Sequence, residues 1–196
     1  MKQIILASSS PRRKELLEQM GINVAVHSQN ADESIGTNIA PSDAAVMLAQ
    51  RKLTEAIDEL HQAGSWILAA DTIVYRADRM YGKAAHEREA KAFLQELSGS
   101  SHRVVTGLAL YCPVEERIVT GRDETVVHFA PMSRSEIDWY VATDEWKGVA
   151  GAYRIQGLGS RFILGIEGSY STVMGLPIRT LYSMLVSNGF AYLGEV

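Results

Sequence analysis

Three features of the sequence predict an α/β protein on a mixed sheet. Apolar strand candidates alternate with helix candidates, Trp66 to Ala70 is apolar throughout, and two long β-branched runs lie mid-chain. Gln3 to Ala7 reads as a buried strand. Ser10 is a suitable N-cap and Pro11 a suitable first residue for a helix over Arg12 to Met20, stopped by Gly21. Val24 to His27 reads as a short strand leading to the acidic loop Asn30 to Ser34. Ser42 is placed to cap a long helix whose apolar positions Val46, Ala49, Leu53, Ile57 and Leu60 leave Arg51 and Lys52 at its middle, with Gly64 ending it.

The apolar run Trp66 to Ala70 predicts a strand that terminates at Asp71-Thr72, with Ile73 to Tyr75 as a second extended run. A turn over Arg76 to Met80 and an amphipathic helix over His86 to Leu97, closed by Ser98-Gly99, follow. Arg103 to Tyr111 and Arg117 to Phe129 are rich in β-branched residues and predict a hairpin across Pro113 to Glu116. Ser133 caps a short helix through Tyr140, Gly148 to Gly159 is loop, Arg161 to Ile166 strand, and Leu176 to Val186 a final helix.

The 196 residues suit one domain with two lobes rather than two independent domains. A formal net charge of -4 argues against broad binding to nucleic acid but leaves room for a local basic pocket. Cys112 is the single cysteine, so no intramolecular disulfide forms, and it reads as strand packing. No apolar stretch is long enough to span a bilayer, and Arg12 comes too early for a secretory signal, so a cytoplasmic protein is expected.

The chemistry-bearing residues lie in separated segments. Ser8, Ser9 and Ser10 before a helix entrance carrying Arg12 and Arg13 form a candidate phosphate cradle, since a helix N-terminus and guanidinium forks both favour an anion. The plainer alternative is an ordinary capped helix with solvated arginines. Lys52 and Lys83 are further candidates to neutralise phosphates, and Glu33 and Asp71 to hold a hydrated Mg²⁺. Asp71 is also placed to act as a general base. Taken singly, each has a structural reading: Asp71 as a turn cap, Lys83 exposed, Glu33 solvated, Thr72 a strand residue. A Walker loop, an HExxH motif, paired cysteines and a nucleophile elbow are all missing, and His27, His61, His86, His102 and His128 lack ligand spacing.

Taken together and in order, Leu6 to Leu17, Asp32-Glu33, Arg51-Lys52, Ala70 to Val74, Gly82-Lys83, Leu97 to Gly99, Val105 to Gly107, Ala150 to Gly157 and Gly175 to Pro177 resemble the motifs of the Maf nucleotide pyrophosphatases. The resemblance runs almost end to end. It implies a two-lobed, inosine triphosphatase-like fold with a long mixed sheet, flanking helices and a cleft between the lobes. It also implies an enzyme dependent on Mg²⁺ or Mn²⁺ that cleaves a nucleoside triphosphate between its α and β phosphates, and a homodimer, for which Trp66, Trp139 and Trp146 are contact candidates. Asp71 falls on the family's proton acceptor. Arg12, Thr72 and Gln156 fall on positions that separate substrates and look like the branch taking dTTP and UTP. The Gln156 amide offers a donor and an acceptor to a uracil-type edge.

This chain departs from the pattern at Val149, where a lysine is usual and Lys147 lies nearby, at Ala84 in place of proline, and at Arg154 in place of a small residue. Three alternatives stand beside the dTTP/UTP reading: a 7-methyl-GTP pyrophosphatase, a nucleotide-binding regulator of cell division without turnover, and a nucleic-acid binder through Arg12, Arg13 and Lys14, which the acidic balance disfavours.

Overall fold

The computed structural model describes residues 3–28, 31–36, 39–60 and 64–191; Asn30 of the acidic loop and His61 lie outside them. The elements are β1 (Gln3–Ala7), α1 (Pro11–Gln19), β2 (Asn23–His27), α2 (Pro41–Leu60), β3 (Trp66–Arg76), β4 (Arg79–Tyr81), α3 (Glu87–Leu97), β5 (Ser101–Cys112), β6 (Arg117–Phe129), α4 (Arg134–Ala142), a 3₁₀ turn (Leu158–Phe162), β7 (Ile163–Glu167), α5 (Tyr170–Met174) and α6 (Ile178–Ser187). The strands join one mixed sheet in the order β2-β1-β3-β5-β6-β7, with β4 beside β3. β1 runs parallel to β2 and β3, with Ile5 opposite Ala25 and Ile67, while β4 on β3 and β7 on β6 are antiparallel. The four-residue link between β5 and β6 allows only the antiparallel hairpin that the sequence predicts. This is the α/β class expected.

The chain divides into two compact units. The first comprises Met1–Asp71, Thr106–Asp123 and Gly175–Val196, the second Thr72–Val105 and Glu124–Met174. In the first, Ile5 and Ala7 of β1, Ile67 and Ala69 of β3 and Ala109 of β5 pack under Ala49, Leu53 and Ala56 of α2. Strand residues two apart share a face, and helix residues three or four apart share a stripe. Small residues on both sides draw α2 close to the sheet. The closest approach is at Gly107, where a Cβ would overlap the backbone carbonyl of Ala45. Trp66 is buried edge-on to Phe190, and Cys112 is a fully buried free thiol whose pKa burial pushes up.

In the second unit, His102, Phe129 and Tyr153 form a cluster of edge-to-face rings with centroids 4.7–5.3 Å apart. His102 Nε2 lies 2.8 Å from the Tyr153 hydroxyl, and its other ring nitrogen has no hydrogen-bond partner. Trp146 is likewise core, its indole N–H donating to the Val141 carbonyl at 3.0 Å, whereas Trp139 is 42% exposed beneath the Arg161 guanidinium.

Four local expectations change. α2 begins at Pro41, and the Ala40 carbonyl accepts its first bonds, so Ser42 lies inside the helix; proline takes the first helical position and moves the cap back. Ser10 flanks α1 as predicted, but its side chain makes no capping bond. β3 continues unbroken through Asp71 and Thr72. β7 starts at Ile163 rather than Arg161, because a 3₁₀ turn over Leu158–Phe162 takes the residues before it. Gly21 closes α1 as read, donating to the Glu18 carbonyl at 2.9 Å while Ile22 donates to Leu17 at 3.1 Å. Among the described residues no helix is long and apolar enough to cross a membrane.

Candidate active site

Asp71 extends the face of β3 that carries Ile67 and Ala69 under α2. Lys52 lies on the stripe of α2 that includes Ala49 and Ala56, so both side chains emerge where the apolar interface ends. They meet there in a short ion pair, with Lys52 11% and Asp71 12% exposed. The same ammonium donates to Glu33 at 2.8 Å, whose side chain is 46% exposed. One cation therefore spans the two carboxylates that the sequence singles out.

Glu33 owes its position to a residue the sequence reading did not weigh by itself. Arg51 donates to the carbonyls of Asp32 and Ser34, each at 2.9 Å, pinning the loop on either side of Glu33. Asp32 closes the same loop by accepting from the Ser34 amide at 2.9 Å and hydroxyl at 2.6 Å, bonds that hold its pKa below the usual carboxylate value. Arg51 and Lys52 are adjacent in sequence, and that pairing was the available signal.

Ser8 follows β1 and is buried. Its hydroxyl accepts from the Ser10 amide at 3.3 Å and from Arg13 at 3.0 Å. The Arg13 Nε donates to the Gly175 carbonyl at 2.8 Å, tying the start of the chain to the segment before α6. Burial lowers the Arg13 pKa, while the negative charges of Asp71 and then Glu33 pull it back up. Arg13 thus belongs with the carboxylates but is also a strut. Ser9 is exposed and Arg12 half-buried on the same segment. The first unit brings together Ser8, Arg13, Glu33, Lys52 and Asp71.

Thr72, Lys83 and Gln156 belong to the second unit. Thr72 follows Asp71 directly, so its side chain leaves the opposite face of β3. Lys83 is exposed and bridges Ala150, while the Gly151 amide donates to the carbonyls of Tyr81 and Gly82 at 3.0 and 3.2 Å. Two of the motifs are docked together in this way. Gln156 is exposed between buried Ile155 and half-buried Gly157. Lys147, near the position where a lysine is usual, pairs with Asp144 at 2.7 Å and lies against the Trp146 ring, while Val149 is buried. Of the histidines within the described residues, His86 caps α3, His27 and His128 face Glu59 and Glu167, and His102 is core.

Among the described residues no group of three His, Cys, Asp or Glu side chains forms a metal cage. Glu33 and Asp71 remain as oxygen donors that already share one cation, a set that suits Mg²⁺, which commonly takes one or two protein carboxylates and completes its shell from phosphate and water.

A protein of Symbiobacterium thermophilum called dTTP/UTP pyrophosphatase is 44% identical over 97% of this chain and 96% of its own length. One of Treponema denticola with the same name is 40% identical over 98% of this chain and all of its own. Among solved structures, the Ham1 protein of Staphylococcus aureus aligns with 66% of this chain and 72% of its own at 12% identity and a TM-score of 0.47. The family model described as Maf-like protein matches residues 3–188, a span that holds every residue of the site just built, and the chain belongs to that family.

Proposed function

We propose that the chain is a nucleoside triphosphate pyrophosphatase acting on dTTP and UTP, releasing the monophosphate and pyrophosphate. The observation that carries this reading is the grouping of Asp71, Lys52 and Glu33 with the Ser8–Arg13 segment, in which the Lys52–Asp71 pair is nearly withdrawn from water and Glu33 joins it from the solvent side. The names of the relatives from Symbiobacterium thermophilum and Treponema denticola support the same activity and substrates.

In this reading Asp71 accepts the proton of a water molecule whose oxygen attacks the α-phosphorus. The bond from that phosphorus to the α–β bridging oxygen breaks, and pyrophosphate leaves with its electrons. Lys52, Arg12, Arg13 and Lys83, with the Ser8 and Ser9 hydroxyls, offset charge along the triphosphate. Glu33 and Asp71 hold a divalent cation, Mg²⁺ or Mn²⁺, which when bound supplies Lewis acidity toward the phosphate oxygens and the water. Arg12, Thr72 and Gln156 set the substrate, the Gln156 amide matching a carbonyl and N–H edge. A cytoplasmic homodimer completes the reading, carried by the resemblance alone.

Purified protein with Mg²⁺ or Mn²⁺, supplied in turn with UTP, dTTP, CTP, GTP and 7-methyl-GTP and assayed for pyrophosphate, tests it. UTP and dTTP are expected to exceed 7-methyl-GTP by at least about tenfold in kcat/KM. The reverse order moves the assignment to the methylated purine, and nucleotide binding with no release at all supports a regulator instead.

A further inference from the structure

The segment Arg154–Leu158, which carries Gln156, is held by an internal latch. The Arg154 guanidinium donates through Nε to the Glu145 carbonyl at 2.7 Å and through a terminal nitrogen to the Lys147 carbonyl at 3.1 Å. The Glu145 carboxylate reaches back and accepts from the Leu158 amide at 2.8 Å. Arg154 and Glu145 thus hold the two ends of a short loop reciprocally. The fully buried Tyr140 stands behind both, its hydroxyl accepting from the Arg154 amide at 3.0 Å. Burial above all, with the nearby Glu145 charge contributing, pushes the Tyr140 pKa up to about 12, so its proton stays in place.

The space is equally constrained. A Cβ on Gly157 would overlap the Glu145 carboxylate, and one on Gly159 would fall 2.8 Å from the Arg154 carbonyl. Glycine at both positions lets the loop close on the latch. Ile155 is buried next to exposed Gln156, and the Gly157 amide donates to the Arg154 carbonyl at 3.3 Å. A residue set between a buried anchor and a clamped glycine has its Cα–Cβ direction fixed, and that direction sets where its side chain can reach.

We infer that Arg154 and Glu145 are positioning residues for base selection: their reciprocal hydrogen bonds fix the direction in which Gln156 presents its amide to the nucleotide base. The inference rests on the reading of Gln156 given above. It needs no contact between Arg154 and substrate. A guanidinium shared between two carbonyls cannot be replaced by an ammonium without losing one bond or its angle.

The test compares wild type with Arg154→Ala, Arg154→Lys, Glu145→Gln and Gln156→Ala by two readouts. Hydrogen exchange of the 155–158 amides reports the latch, and the ratio of kcat/KM for UTP to that for 7-methyl-GTP reports base selection. Arg154→Ala is expected to speed exchange in that segment and to lower the ratio by about tenfold, mainly through KM, with kcat on saturating UTP within about twofold. Arg154→Lys and Glu145→Gln should fall between it and wild type. Exchange unchanged in Arg154→Ala overturns the latch. Faster exchange with an unchanged ratio, while Gln156→Ala does shift the ratio, overturns the role in selection and leaves Arg154 a stability residue. A ratio untouched by Gln156→Ala removes base reading from that loop, and the inference with it, whatever the exchange data show.

Discussion

Lys52 and Asp71 face each other across the junction of α2 and β3 as an ion pair almost withdrawn from solvent, and Glu33 completes the contact from the loop side. Removing one partner of such a pair costs more than the pair contributes, because the survivor keeps its desolvation without compensation.

Lys52→Met therefore leaves two carboxylates facing one another. A loss of about 2 kcal/mol is expected, below the usual figure for a wholly buried pair because Glu33 is partly in water, together with at least about a hundredfold drop in kcat/KM on UTP. Thermal melting and steady-state kinetics on one preparation check both. A variant as stable and active as wild type would place neither carboxylate near Lys52.

Asp71→Asn keeps the shape and removes the proton acceptor. Turnover is expected to fall by about 10²- to 10⁴-fold, with UTP affinity by calorimetry within about tenfold of wild type. Equal loss of binding and turnover would make Asp71 a ligand-holding group rather than the base.

Gly107→Ala places a methyl group on the Ala45 backbone, where neither helix nor strand has slack. Denaturant unfolding should show a loss of about 3 kcal/mol or failure to fold, far more than an exposed Gly→Ala change. A near-neutral result would mean that α2 sits farther from β5.

His102 gives the fold a defined acid sensitivity. Burial, reinforced by His128 and Arg76, lowers its pKa to about 4 from an ordinary 6.5. Between those values the unfolded chain takes up a proton that the folded one refuses, so stability is full above pH 6.5 and falls as pH drops toward 4. At pH 5 the contribution lost is about 2 kcal/mol. Urea unfolding of wild type and His102→Gln at pH 7 and pH 5 isolates it: the wild-type drop should exceed that of the variant by this amount. Equal drops would assign the acid sensitivity to other groups.

Elements whose ends carry their own chemistry were legible in the sequence. Pro11 and Gly21 bound α1, and Ser133 caps α4. Elements shaped by their neighbours were not. Asp71 looks like a strand end because the apolar pattern stops there, yet the backbone continues into Thr72-Ile73-Val74, whose β-branched side chains suit a strand. α5 has five residues, too few for a helical period to show. The site divides in the same way. The residue types of Glu33, Lys52 and Asp71 were readable, but their pairing depends on which face of α2 meets β3. The bond from Arg13 to Gly175 joins positions 162 apart, with no local trace.

The lone thiol at the end of β5 makes the protein its own reporter. Cys112 is sealed inside and its thiolate disfavoured, so an alkylating reagent modifies it only when the β5–β6 hairpin opens. With no second sulfhydryl to confuse the signal, the labelling rate measures that opening directly, and bound nucleotide should slow it in proportion to the stability it adds.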